Sequence, residues 1–163
     1  MTKSLEKPET IFELHGQHVV VVGLGKTGQA AVRFFLQHGA KVSVSESSCK
    51  SSISPELIEW LTGNNIFCET DGHTLDIFNS ADLIFVSPGI PLTINPLNEA
   101  RRLNIPVIGE LGVAAYFMQT PVIAVTGTNG KTTVTTLLGH IFQAAARKVF
   151  VGGNIGTPLF DYI

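Results

Sequence analysis

Short apolar runs alternate with helix-periodic segments along the chain. His18-Val19-Val20-Val21-Val22 is an unbroken, mostly β-branched run. It reads as a central parallel strand with both faces covered. Ala31, Phe34, Phe35 and His38 then recur at helical spacing, and Gly39 supplies a stop. Lys41-Val42-Ser43-Val44-Ser45 alternates like a half-exposed strand and ends at Glu46. A serine-rich loop leads to Ser54-Pro55-Glu56, which opens a helix with Ser54 as N-cap and Pro55 in the first position. That helix carries Leu57, Ile58, Trp60 and Leu61, with Trp60 read as core, and stops near Gly63. Ile66 to Glu69 is a short strand and Ala81 to Val86 a stronger one. Asn95-Pro96 caps a helix containing Leu97, Ala100 and Leu103, and Ile105 to Ile108 forms the next strand. Glu110 to Phe117 is a short linking helix. Five strand–helix alternations predict one doubly wound, Rossmann-like α/β domain. Residues 1–17 read as a polar tail and a short entry segment.

A second α/β unit starts at Pro121. Val122 to Val125 suits a buried parallel strand. Val134, Leu137, Leu138, Ile141, Phe142 and Ala145 recur at helical spacing, and that stripe is expected to be core. Arg147 and Lys148 suit the helix C-terminus, and Val149-Phe150-Val151 is a further strand. The expected division is residues 1–109 for the first domain and 110–163 for the start of the second.

Composition narrows the class. Hydrophobic residues are 44% of the 163 and charged residues 15%, enough to bury a core. The net charge is -2 with no basic stripe, which gives nucleic-acid binding no electrostatic support. No apolar run approaches the roughly 20 residues that span a bilayer. Cys49 and Cys68 fit no metal spacing, and the five histidines form no ligand cluster. A reduced, cytoplasmic and monomeric protein is expected.

Two glycine-rich turns carry the candidate chemistry. The first, Gly23-Leu24-Gly25-Lys26-Thr27-Gly28, lies between a strand and a helix, with Glu46 about 20 residues on. On its own this motif leaves three readings open: an NAD(P) site, a site for another nucleotide-bearing ligand, or a bare turn. In the nucleotide readings Glu46 faces a sugar hydroxyl. Ser87-Pro88-Gly89 sits at the carboxyl end of another strand, where a hydroxyl and free N–H groups suit a phosphate or sugar; a plain Pro-Gly turn fits as well. The second turn, Gly127-Thr128-Asn129-Gly130-Lys131-Thr132-Thr133, reads as a variant phosphate loop. The usual first glycine of G-x-x-x-x-G-K-[ST] falls at Val125. Lys131 offers charge to outer phosphates and Thr132 a hydroxyl to Mg²⁺; these two are the candidate catalytic residues.

Four segments together resemble the Mur ligase family: Val22 to Gly28, Val86-Ser87-Pro88-Gly89-Ile90-Pro91, Gly127 to Thr136, and Gly152-Gly153-Asn154-Ile155-Gly156. The resemblance implies a UDP-binding first domain, a central ATPase and a third domain for the incoming amino acid. It implies an ATP- and Mg²⁺-dependent amide ligase of peptidoglycan precursor synthesis, on the branch that joins D-glutamate to UDP-N-acetylmuramoyl-L-alanine through an acyl phosphate. Carried over by position, Gly25, Thr27, Glu46, Ser87, Pro88 and Gly89 hold the UDP-sugar. Gly127, Thr128, Asn129, Gly130, Lys131, Thr132 and Thr133 hold ATP, Thr132 also holds Mg²⁺, and Asn154 meets the substrate near its reacting end. Four positions depart from the family's usual pattern: Glu46 for Asp, Ser47-Ser48 for Thr-Arg, and Gly112 for Glu.

Leu111 through Phe160 contain no Asp or Glu, although phosphoryl-transfer sites normally take a carboxylate from a later strand. The second unit is also small for a separate core. The expectation is a chain that stops inside its second domain and does not ligate alone. The competing reading is an NAD(P)-binding oxidoreductase domain, which leaves the second turn unexplained.

Overall fold

The valine run forms β1 (His18–Val22), the middle strand of a five-stranded sheet. The structure is a computed structural model that describes residues 13–154 and 156–163. Most of the polar tail and Ile155 of the last glycine-rich motif lie outside the described residues. After β1 come α1 (Lys26–Gln37), β2 (Lys41–Ser45), α2 (Pro55–Gly63), β3 (Phe67–Glu69), α3 (Leu75–Asn79) and β4 (Leu83–Val86). Then follow α4 (Asn95–Arg102), β5 (Val107–Gly109), α5 (Glu110–Phe117) and α6 (Lys131–Ala144). Single 3-10 turns occupy Lys50–Ser52 and Leu159–Asp161.

The strand order is β3-β2-β1-β4-β5 and every pairing is parallel. Val19 to Val22 have no exposed surface, because both faces of β1 are covered. Val19 and Val21 point with Leu83 and Phe85 into a core that includes Phe34 and Phe35 of α1, Leu61 of α2 and Val113 of α5. Val20 and Val22 point with Ile84 and Val86 to the opposite core, against Phe78 of α3 and Leu97 and Ala100 of α4. The period-2 alternation thus feeds two layers of helices, and an uninterrupted valine run is what a central parallel strand requires. This is the doubly wound fold expected from the sequence.

Local signals set some of the helix ends. Ser54 caps α2, its Oγ accepting from the Leu57 N–H at 3.3 Å. Gly39 follows α1 at φ 78°, as its stop position demands. Trp60 is half-buried against the α1-side core, with the Arg33 guanidinium 5.2 Å from its ring centre. Two helix details differ from expectation. Ile94, not Asn95, is the N-cap of α4, so Asn95-Pro96 form its first turn. His38 is exposed rather than core-facing, its ring tilted against Phe34 at 4.1 Å.

The second unit departs further. The strands predicted over 122–125 and 149–151 do not form. Val122 and Ile123 are exposed, and no strand among the described residues pairs with either segment. Parallel pairing needs a neighbouring backbone to take the N–H and C=O groups, and β propensity does not supply one. The apolar stripe of α6 is not core either: Val134, Leu137 and Ile141 are exposed, and within the helix only Gly139 is buried. Gly139 marks where Val151 approaches α6, since a Cβ there would stand 2.6 Å from Val151 Cγ2.

Candidate functional site

The sheet runs outward from β1 in both directions, so its order reverses between β1 and β4. Ligands of open α/β sheets bind outside the carboxyl ends of the strands at such a point. The crevice here is bounded by Gly23-Leu24-Gly25 after β1 and by Ser87-Pro88-Gly89 after β4.

Backbone and side-chain bonds hold this rim. The Gly23 N–H donates to Ser45 O at 2.9 Å and the Ser87 N–H to Val22 O at 3.0 Å. Ser87 is 6% exposed and its hydroxyl donates to Gly23 O at 2.9 Å. That hydroxyl proton therefore braces the turn, while the Ser87 oxygen keeps its acceptor lone pairs. Pro88 and Gly89 remain exposed at the rim. α1 meets the turn at Gly28, where a Cβ would lie 1.9 Å from Gly23 O and 2.9 Å from Ser87 Oγ. Only a glycine lets the helix approach this closely.

The N-terminus of α1 opens onto the crevice. Gly25 is its N-cap, no side chain caps it, and its first turn carries no acid. Gly25 and Lys26 are exposed and Thr27 is half-buried. The free N–H groups and the positive end of the helix dipole suit a diphosphate.

Glu46, at the end of β2, turns its carboxylate toward this rim. The Leu24 N–H donates to its Oε2 at 2.6 Å and the Ser48 N–H to its Oε1 at 2.8 Å. Burial pushes the carboxyl pKa up, but the Ser48 and Leu24 N–H groups outweigh it and hold the group below its usual range. Glu46 is thus an anchor of the glycine turn as well as a candidate for a sugar hydroxyl.

Two groups of residues were not legible in the sequence. Ser45, fully buried, donates from Oγ to Glu69 Oε2 at 2.6 Å and is hydrogen-bonded to His73 Nδ1 at 2.7 Å. Burial raises the Glu69 pKa, yet the Ser45 and Thr74 bonds lower it on balance. These three residues are 24 and 28 positions apart along the chain, and no local pattern signals their meeting at the β2–β3 edge. Leu24 likewise acts through its backbone, which side-chain identity does not report.

The second glycine turn is exposed from Thr126 to Thr133. Gly130 caps α6 at φ 78°, a left-handed conformation that favours glycine. Lys131 Nζ folds back to donate to Gly127 O at 2.5 Å and Thr128 O at 3.2 Å. Thr132 and Thr133 lie exposed in the first turn of α6, which carries no acid. This arrangement fits phosphate: a helix N-terminus, a left-handed glycine and a lysine over the loop. For Mg²⁺ it offers only the Thr132 hydroxyl, and no group of three or more His, Cys, Asp or Glu among the described residues could hold a metal ion. A magnesium ion with one protein hydroxyl would depend on phosphate oxygens and water, as Mg²⁺ commonly does.

Asn154 is exposed, and the loop around it is closed by the Gly153 N–H donating to Thr157 O at 2.8 Å. Thr157, Pro158 and Asp161 line a cavity of about 250 Å³ together with Lys26, Gln29 and Arg33. The segment that follows the Asn154 loop therefore lies beside the first turns of α1. Among the described residues no helix is long and apolar enough to cross a membrane.

Comparison with known proteins agrees with this architecture. Residues 17–109 match the family described as Mur ligase MurD-like, N-terminal domain, and residues 125–160 match Mur ligase middle domain. The UDP-N-acetylmuramoylalanine–D-glutamate ligase of Desulfosudis oleivorans is 49% identical over 150 residues, covering 92% of this chain and 32% of that protein. The protein of the same name from Koribacter versatilis is 46% identical over 151 residues, covering 93% and 33%. The chain thus spans about a third of the length of the curated relatives it matches. Among solved structures, a pseudomurein peptide ligase type C from Methanothermus fervidus superposes with a TM-score of 0.53 at 26% identity, over 80% of this chain and 26% of that one. A murein peptide ligase from Psychrobacter arcticus shares the fold, with a TM-score of 0.54 at 23% identity over 80% and 27%. The chain therefore belongs to the Mur ligase family.

Proposed function

We propose that this chain carries the UDP-sugar crevice and the ATP phosphate loop of an ATP-dependent amide ligase, one that joins D-glutamate to UDP-N-acetylmuramoyl-L-alanine in peptidoglycan precursor synthesis. The observation that carries the reading is the presence of two distinct glycine-rich turns that each open a helix, one at the β1–β4 crevice and one at the start of α6. A dinucleotide-binding domain accounts for the first and leaves the second without a role. The relatives named as D-glutamate-adding ligases supply the choice of substrate.

In this reading residues 1–109 bind the nucleotide sugar and 110–163 begin the ATP-binding unit. Gly25 and Thr27 receive the diphosphate at the α1 N-terminus. Glu46 holds the turn through Leu24 and offers its remaining lone pairs to a sugar hydroxyl. Pro88 and Gly89 close the opposite rim, while Ser87 keeps that rim in place through Gly23 O. Asn154 faces the muramoyl end. Lys131 and Thr132 would hold the outer phosphates of ATP, and the Thr132 hydroxyl would also hold Mg²⁺, which would neutralise phosphate charge. ATP supplies a phosphoryl group that makes a carboxylate reactive toward an amine. The chain's own residues bind, orient and neutralise charge.

Calorimetric titration of the 163-residue chain with UDP-N-acetylmuramoyl-L-alanine and, separately, with NADH tests the reading. Saturable uptake of the UDP-sugar and none of NADH is expected. Tight NADH binding without UDP-sugar binding would replace the proposal with an oxidoreductase domain.

A further inference from the structure

Glu110 is the first residue of α5, directly after β5, and it is 6% exposed. Its Oε1 accepts from the Leu159 N–H at 2.7 Å, across 49 residues of sequence. Burial pushes its pKa up, the Leu159 and Phe160 N–H groups pull it down, and Asp161 adds a like charge that pushes it up again. No Lys, Arg or His among the described residues forms an ion pair with it, by the single salt bridge found there, Arg102 to Glu99. A buried carboxylate without a counter-charge is costly, and packing alone would favour an apolar side chain here. Its geometry instead matches a tether for backbone N–H groups of a distant segment.

The tethered segment is the 3-10 turn Leu159–Asp161. Phe160, 8% exposed, enters the aromatic cluster of the first domain, 5.1 Å from the Phe34 ring, 5.3 Å from Phe85 and 6.2 Å from Phe35. Immediately before this turn lies the loop closed by Gly153 and Thr157, which carries Asn154. Pro158 and Asp161 face Lys26 and Arg33 of α1 across the shared cavity. Glu110 and Phe160 are thus two of the points that fix the segment after the Asn154 loop against the sheet, alongside Ile163 at the same core and the Tyr162 hydroxyl, which donates to Thr120 Oγ1 at 2.8 Å. Phe160 supplies burial without direction; Glu110 supplies direction.

We infer that Glu110 is a positioning residue, which holds the Asn154 loop in register with the β1–β4 crevice so that the sugar end of a UDP-sugar meets both. This rests on the reading of Asn154 as a substrate contact. It predicts a split between ligands, because UDP alone reports on the crevice and the muramoyl-alanine extension reports on the loop.

The test compares wild type, Glu110→Ala and Glu110→Gln in the 163-residue chain, with UDP and UDP-N-acetylmuramoyl-L-alanine titrated separately. Glu110→Ala is expected to bind UDP within about twofold of wild type and the full UDP-sugar roughly tenfold more weakly, the scale of one lost charge-assisted hydrogen bond. Glu110→Gln keeps an acceptor oxygen and should recover most of that affinity. Amide hydrogen exchange at Leu159 and Phe160 should quicken roughly tenfold in Glu110→Ala and less in Glu110→Gln. Unchanged UDP-sugar affinity in Glu110→Ala, equal loss of both ligands, or unchanged exchange at Leu159 would each overturn the inference. A wild-type chain whose Leu159 amide is protected by Glu110 but which takes up neither ligand overturns the functional reading, and the positioning role with it.

Discussion

Gly28→Val is expected to cause the largest loss of stability of any single change at the crevice. The added Cβ would lie 1.9 Å from Gly23 O and 2.9 Å from the Gly23 carbonyl carbon. Both atoms are backbone, so no rotamer change relieves the overlap, and α1 must move away from β1. That movement separates Phe34 and Phe35 from the strand residues they cover. The cost should reach the top of the roughly 1–3 kcal/mol range for overpacking, or exceed it. For a chain of this size a loss of about 3 kcal/mol lowers the thermal midpoint by roughly 6–12 °C. Gly25→Ala is the informative control. A Cβ at Gly25 meets nothing within 4 Å, and the residue already has an ordinary φ of -66°. Gly25→Ala should therefore melt within a degree or two of wild type while weakening UDP binding, because its methyl group occupies the space before the first N–H groups of α1. Thermal melts followed by circular dichroism separate the two. A Gly28→Val chain that melts like wild type would show that the close approach of helix and turn is not what the sequence requires.

Lys131→Ala should give the largest change in ligand affinity. The Lys131 ammonium already lies over the loop, bonded to the carbonyls of Gly127 and Thr128. A phosphate offers a full negative charge in place of two carbonyl dipoles, so the ammonium should transfer to it. Loss of a charge-assisted hydrogen bond costs about 1.5–3 kcal/mol, which is roughly a ten- to hundredfold loss of ATP affinity. UDP-sugar affinity should not change, because Lys131 makes no bond to the crevice. Titration of wild type and Lys131→Ala with Mg-ATP reads the effect. Equal ATP affinity in the two proteins would remove the phosphate-loop role from this turn. The N-terminus of α6 and the left-handed Gly130 would then be a bare helix-opening turn.

The first domain was legible because its signals are local. The valine run, the Ser54 cap, the Gly39 stop and the glycine turn each act within a few residues, and each has a single structural solution. Ser87 was read for its chemical type, but its role depends on Gly23, 64 residues away, whose carbonyl takes the proton. Glu46 is legible as the acid that ends β2, yet its bond to Leu24 depends on the pairing of β1 with β2. Glu110 was visible as the acid opening α5 and nothing more; its partner Leu159 comes from a segment that no periodicity links to it. The failures in the second unit have a different cause. Val122 to Val125 and the α6 stripe carry correct patterns, but a pattern describes a surface that needs a partner. No described strand pairs with Val122 and Ile123, and Val134, Leu137 and Ile141 are left uncovered, so these residues are exposed.

The central claim is that the β1–β4 switch point binds a nucleotide sugar, and backbone amide shifts read it residue by residue. A ¹⁵N-labelled chain titrated with UDP-N-acetylmuramoyl-L-alanine should show its largest amide shifts at Leu24, Gly25, Lys26 and Thr27, with further shifts at Ser48 and Gly89. Leu24 and Ser48 belong in that set because both donate to Glu46, and any change at its carboxylate alters their N–H bonds. Saturating shifts that leave Leu24 to Thr27 unmoved and cluster elsewhere on the sheet would contradict the account.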